Sequence, residues 1–123
     1  MMLVVLDTNI LIDIEKGFES TISKLTELSS TLPISDPAIT WANYYEFYFG
    51  VSNTKEATMF LDNFVFLEMT KEATAIFTRL KKQNLQVKDF DLLISSVVIA
   101  NNALFITKDQ DFKKIPGLKY KLL

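Results

Sequence analysis

The chain has 123 residues, 49% of them hydrophobic, with a formal charge of −2 and a pI near 5.1. That is enough apolar material for one real core, and it argues against disorder and against a strongly basic nucleic-acid binder. There is neither cysteine nor histidine, which excludes disulfides, thiolate metal sites, imidazole acid–base catalysis and His-ligated zinc. Any metal must be held by oxygen, which favours Mg²⁺ or Mn²⁺. The acidic balance does not exclude a nuclease, because bound cations reverse the sign of an acidic pocket. No apolar run reaches the roughly 18 residues of a membrane span, and no basic region precedes the apolar start. One domain over residues 1–123, cytoplasmic and free of membrane contact, is expected.

Leu3 to Leu6 form an uninterrupted apolar run, as in a strand buried on both faces, and Asp7, Thr8 and Asn9 follow with helix-start chemistry. Ile10, Leu11 and Ile14 mark a short helix ending at Lys16-Gly17, with Gly17 as C-cap. Phe18, Ile22, Leu25 and Leu28 recur at helical spacing over Phe18 to Ser30. Pro33 and Asp36-Pro37 punctuate a loop, followed by a weak strand at Ala38-Ile39-Thr40.

Trp41 to Gly50 is dense in aromatic residues and reads as a helix capped by Gly50; so many rings predict that a second subunit or a partner segment covers part of it. Ser52-Asn53-Thr54 starts another helix through Ala57, Phe60, Leu61 and Phe64. Val65-Phe66-Leu67 is a strand, and Thr70 opens a helix with Ala73, Ile76, Phe77 and Leu80 on one face. A connection over Val87 to Asp91 leads to a buried helix from Asp91 to Asn101. Leu104 to Thr107 is a second buried strand and Leu118 to Leu123 a last one. Strands alternating with helices predict an α/β fold: three layers, α/β/α, around a central, mostly parallel sheet of four to five strands.

Ligands of open parallel sheets bind beyond the carboxyl ends of the strands. Asp7 and Asp109 each follow a buried strand, Asp91 opens the buried helix, and Glu46 is a charge inside the aromatic helix. Asp89 and Asp111 stand two residues from two of these. Singly, Asp7, Asp91 and Asp109 read as helix caps and Glu46 as a solvated residue. Jointly they suggest carboxylates gathered at one sheet edge, where mutual repulsion invites a cation suited to displacement at phosphorus. Lys88 and Lys108 flank two of the acids; they are candidates for steering phosphates or simply solvated lysines.

These residues resemble the PIN-domain family, especially its VapC-type toxin ribonucleases. Val5-Leu6-Asp7-Thr8-Asn9-Ile10-Leu11-Ile12 is similar to the first family motif, Glu46 with Gly50 to the second, Asp91-Leu92-Leu93-Ile94-Ser95-Ser96 to the third, and Leu104 to Phe112 to the last. The match runs in order along nearly the whole chain. The resemblance implies a PIN-like fold and an acidic site of Asp7, Glu46, Asp91 and Asp109. It further implies metal ligation by Asp7, Asp91 and Asp109, and hydroxyl help from Thr8 or Thr107. It implies Mg²⁺- or Mn²⁺-dependent endoribonuclease activity on RNA, a homodimer, and a small antitoxin partner. Asp111 competes with Asp109 as the fourth acid, Asp89 is an additional candidate, and one or two ions are both open.

This chain departs from the family at Asn43, where a Thr is usual, at Phe47, where a Leu is usual, and at Ser95 and Ser96, where alanines are common. Two rival readings stand beside this one. The first is a non-catalytic PIN-like interaction module, with the acids as caps. The second is an aspartyl-phosphate phosphatase with Asp7 as nucleophile, weakened by Asn9, where haloacid-dehalogenase-like enzymes carry a second Asp.

Overall fold

The computed structural model describes residues 2–123, apart from the side chains of Ile34 and Ser35. The elements follow in the order β1 (Met2–Leu6), α1 (Thr8–Lys16), α2 (Glu19–Thr31), β2 (Ile34–Thr40), α3 (Trp41–Gly50), α4 (Thr54–Leu61), β3 (Val65–Leu67), α5 (Lys71–Lys82), α6 (Asp89–Ala100), β4 (Leu104–Thr107), a short 3-10 helix (Gln110–Lys114) and β5 (Tyr120–Leu122). Every strand pair is parallel, in the order β3-β2-β1-β4-β5.

Alternation along the strands builds the three layers. Val5, Ala38 and Phe105 share a core with Leu80 of α5 and Leu92, Ile94 and Val98 of α6. Their neighbours Val4, Leu6, Ile39 and Ile106 pack with Ile10 and Leu11 of α1, Phe47 of α3, and Ala57 and Leu61 of α4. A strand sends successive side chains to opposite faces, so two buried faces demand the continuous apolar runs seen in β1 and β4.

Several expectations shift at their edges. The punctuation at Asp36-Pro37 does not end a loop there: β2 runs through Pro37, which pairs with Val4 beside a register irregularity between Met2 and Val4. The proline is tolerated because β3 first pairs with β2 at Ala38, so at Pro37 the strand has a ladder partner on one side only. Helix α2 keeps Leu25 and Leu28 against the core, but Phe18 and Ile22 are exposed. Gly17 caps α1 with φ 75° as expected, a left-handed conformation that glycine adopts without strain. Gly50 instead remains helical and Val51 is the cap. Helix α6 starts two residues early, at Asp89, because Lys88 takes the extended cap conformation. Strand β5 is confined to Tyr120–Leu122, with Leu118 buried ahead of it.

The strand order changes direction between β1 and β4, the place where a crevice opens beyond the strand ends. There Asp7 N–H donates to the Ile106 carbonyl at 2.9 Å, tying the residue after β1 to the end of β4. Among the described residues, no helix is long and apolar enough to cross a membrane.

Candidate active site

The crevice is a cleft of about 560 Å³ lined by Asp7, Glu46, Asp91 and Asp109, with Asp89, Lys88, Thr8 and the rings of Tyr45, Phe49 and Phe90. Each acid arrives by a different local device. Asp7 leaves β1 in extended conformation and caps α1, its Oδ1 accepting from the Thr8 N–H at 2.8 Å. Its Oδ2 accepts from the Thr107 hydroxyl at 2.6 Å. The same hydroxyl accepts from the Asp109 N–H at 2.9 Å. Asp109 in turn caps the 3-10 helix, its Oδ1 accepting from the Asp111 N–H at 2.8 Å. Capping and a place in the cleft therefore coexist at Asp7 and Asp109.

For Asp91 the cap reading fails. It lies in the first turn of α6, three positions past the cap residue Lys88, whose side chain makes no cap bond. Its negative charge suits the positive end of the helix, and its side chain is left to the cleft. Glu46 is held on α3, Oε1 accepting from the Thr8 hydroxyl at 2.8 Å. Behind it stands a network not anticipated from the sequence. Asn43 Nδ2 donates to the Thr8 hydroxyl at 3.2 Å, while Asn43 Oδ1 accepts from the Thr40 hydroxyl and N–H at 2.9 and 3.1 Å. Thr40 and Asn43 are both buried and form a capping box. Thr40-x-x-Asn43 has capping-box spacing, and that is the signal by which it was legible. Asn43 thus completes the cap of α3 and also holds the Thr8 hydroxyl that bonds Glu46.

The remaining candidates separate by geometry. Asp89 lines the cleft but is paired with Lys81 at 2.6 Å. Asp111 is exposed, outside the cleft lining, and faces Lys114 at 3.5 Å. Lys88 lines the cleft, whereas Lys108 is turned away: its Nζ bonds Asp13 Oδ2 at 2.5 Å and the buried Thr21 hydroxyl at 2.7 Å. The phosphate-steering expectation for Lys108 is corrected accordingly. Of the serines, Ser96 bonds back to the Leu92 carbonyl at 2.6 Å, and the buried Ser95 hydroxyl has no partner among the described residues.

The electrostatics show that Asp7 and Asp91 feel the other acids of the cleft. Burial raises the pKa of Asp91 from 3.8 to about 6, helped by the charges of Asp7, Asp109 and Glu46 and opposed by Lys88. Burial also raises Asp7; hydrogen bonds from Thr107 and Thr8 hold it back, while Glu46 and Asp109 push it further up. Such a set attracts a hard divalent cation, and its all-oxygen donors match Mg²⁺ or Mn²⁺. As the side chains stand, however, no three carboxylates among the described residues are gathered tightly enough to clasp one ion. The donor chemistry fits a cation; the grip is not closed.

Residues 4–118 match the PIN domain family. Ribonuclease VapC2 of Rickettsia felis is 31% identical over 130 aligned positions, covering 95% of this chain and 95% of that protein. A solved complex, VapBC2 of Rickettsia felis bound to a DNA fragment from its promoter, contains a chain that superposes with a TM-score of 0.80, at 25% identity over 99% of each chain. VapBC-1 of nontypeable Haemophilus influenzae gives a TM-score of 0.78 at 24% identity over 98% of each chain, a likeness of fold. The chain belongs to the PIN domain family and, within it, to the VapC-type proteins.

Proposed function

We propose that the protein is the ribonuclease toxin of a toxin–antitoxin pair, and that it hydrolyses RNA phosphodiester bonds with a divalent cation, Mg²⁺ or Mn²⁺, at the carboxylate cleft. The observation that carries this reading is that Asp7, Glu46, Asp91 and Asp109, drawn from four separate segments, line one cleft at the switch point of the sheet, where burial first and the neighbouring acids' charge second raise the pKa of Asp7 and Asp91. A fold gains nothing in stability from like charges so placed; a bound cation repays the repulsion. The same reading takes a small antitoxin and a second copy of the chain as partners. Its support is the VapBC complexes to which the chain is similar and the exposed Phe18, Met59 and Phe66 away from the cleft.

Asp7, Asp91 and Asp109 would hold the cation. A divalent cation bound there supplies positive charge to the phosphate and brings the deprotonation of water towards neutral pH. The rest is done by the chain. Thr107 and the Thr8 N–H fix both oxygens of Asp7, so that carboxylate needs no reorganisation when substrate enters. Thr8 engages Oε1 of Glu46 and leaves Oε2 to orient the attacking water and accept its proton. Water adds to phosphorus in line with the leaving 3′ oxygen; that bond breaks, the oxygen takes a proton from solvent, and 5′-phosphate and 3′-hydroxyl ends result. Closing three carboxylates around the cation requires side-chain rotation, which the half-buried Asp91 in the first turn of α6 would supply.

The test is cleavage of an unstructured RNA by purified protein with Mg²⁺ or Mn²⁺, with and without EDTA, beside Asp7→Asn. Chelation should abolish cleavage. Asp7→Asn should lower it by at least ~100-fold, on the scale of losing one preorganised charge-stabilising group, while Asn Oδ1 still caps α1. Cleavage that survives EDTA, or an Asp7→Asn protein of full activity, would overturn the proposal. Release of phosphate from a monoester without RNA cleavage would favour the phosphatase reading.

A further inference from the structure

We propose that Tyr45, Phe49 and Phe90 form a stacking platform for nucleobases of single-stranded RNA beside the scissile phosphate. The inference rests on the nuclease reading and names the form of substrate the cleft accepts. Trp41, Tyr45 and Phe49 lie four residues apart, on one face of α3. Phe90 enters their row from α6: it meets Trp41 edge-on at 5.8 Å and Tyr45 at 5.4 Å with a 35° tilt, and Tyr45 continues to Phe49 at 6.1 Å and 31°. Packing of α3 against α6 explains the Trp41–Phe90 contact. It does not explain Phe49, which is 82% exposed, or Tyr45, which is 50% exposed, when Phe47 on the same helix is fully buried.

The position of these rings identifies what they face. Tyr45, Phe49 and Phe90 line the cleft that holds the four carboxylates, and Tyr45 and Phe90 immediately precede Glu46 and Asp91 in the chain. A protein segment seated on the rings would have to bring its own positive charge to those carboxylates. A nucleotide meets both needs: its phosphate goes with a cation to the acids, and its flat base goes to the rings. Bases inside a duplex are already stacked and cannot reach, so the platform selects unpaired RNA. A π-face accepts any base, so the grip is tolerant of sequence. Lys88, at the same cleft, is placed to meet a flanking phosphate.

The experiment measures equilibrium binding by fluorescence anisotropy in Mg²⁺, in an Asp7→Asn background so that substrate persists. A labelled, unstructured RNA is compared with the same RNA made abasic at internal positions. Phe49→Ala should weaken binding of the intact RNA about 10-fold or more, in line with the loss of one base–aromatic stack, and leave the abasic RNA unaffected. Phe49→Trp should retain affinity, and Phe49→Leu should behave like Ala. Equal affinity of Phe49→Ala and its parent for intact RNA overturns the platform, whether or not the variant loses a protein partner. So does an equal loss for both RNAs. Stacking without cleavage by the unsubstituted protein would sink the nuclease reading and leave the platform standing. Cleavage with a KM indifferent to Phe49 would do the reverse.

Discussion

Asp91→Asn should make the cation-free protein more stable at neutral pH, although it removes a residue of the proposed active site. Burial and three neighbouring carboxylates lift the Asp91 pKa from 3.8 to about 6. At about 1.36 kcal/mol for each pH unit, keeping it ionised at pH 7.5 costs the folded state at most about 3 kcal/mol, and solvent screening of this half-buried carboxyl lowers that figure. The charge is partly repaid by its place in the first turn of α6, where a carboxylate contributes about 0.3–1 kcal/mol. Replacing it should therefore gain at most about 2 kcal/mol, or a Tm increase of no more than roughly 6–10 °C for a chain of this size.

The sign follows from proton counts. Between 3.8 and about 6 the folded protein binds the Asp91 proton more tightly than the unfolded chain, so this group makes stability fall as pH rises through that window and leaves the penalty complete above it. The variant's advantage should thus be full at pH 7.5 and vanish near pH 4. Thermal denaturation in EDTA at both values decides the matter. A variant no more stable at pH 7.5, or equally stabilised at both, would show that neither burial nor its neighbours' charge disfavours the ionised Asp91. Added Mg²⁺ should raise the Tm of the unsubstituted protein by mass action and that of the variant much less.

Thr107→Val removes the hydroxyl that serves both Asp7 and the Asp109 N–H. A loss of about 1–3 kcal/mol in urea denaturation is expected for the buried groups left unpaired, together with roughly 10- to 100-fold lower RNA cleavage, the range for an outer-shell residue. Lys108→Met should cut the bridge to Asp13, whose pKa is held below its ordinary value first by Lys108 and then by Thr21. A depressed carboxylate stabilises above its unfolded pKa and loses that contribution as pH falls through the folded one. The variant's Tm should therefore depend less on pH at the acid end, with RNA affinity kept. Lys88→Met should do the opposite, lowering the salt dependence of RNA binding by about one counterion. Ser95→Ala should be neutral or stabilising by about 1 kcal/mol in chemical denaturation, since the buried hydroxyl lacks a partner among the described residues; a large loss would reveal a bond to it.

The local order of this molecule is written in short stretches of chain. The apolar runs that become β1 and β4, the Gly17 cap and the Thr70 start of α5 each depend on neighbours within a few residues, where period and cap chemistry suffice. So does the fact that Asp7 and Asp109 emerge from strand ends. The extent of β2 was not legible, because Pro37 is permitted only by where its neighbour strand begins. Nor were the different fates of Lys88 and Lys108, two lysines with the same relation to an acid in sequence: one lines the cleft, and the other is captured by Asp13 of α1 and Thr21 of α2. The choice of Asp109 over Asp111 for the cleft followed the same logic, decided by how the Thr107 hydroxyl holds the turn.

What the amino-acid order determined alone was which groups are available: oxygen ligands, no imidazole, no thiol, and rings beside acids. What the tertiary structure decided was which of them meet. Thr107 reaches Asp7 across 100 residues and Asn43 reaches Thr8 across 35. Those meetings exist because β1 lies between β2 and β4, and the order of strands in a sheet is a property of the packed whole that no window of sequence contains.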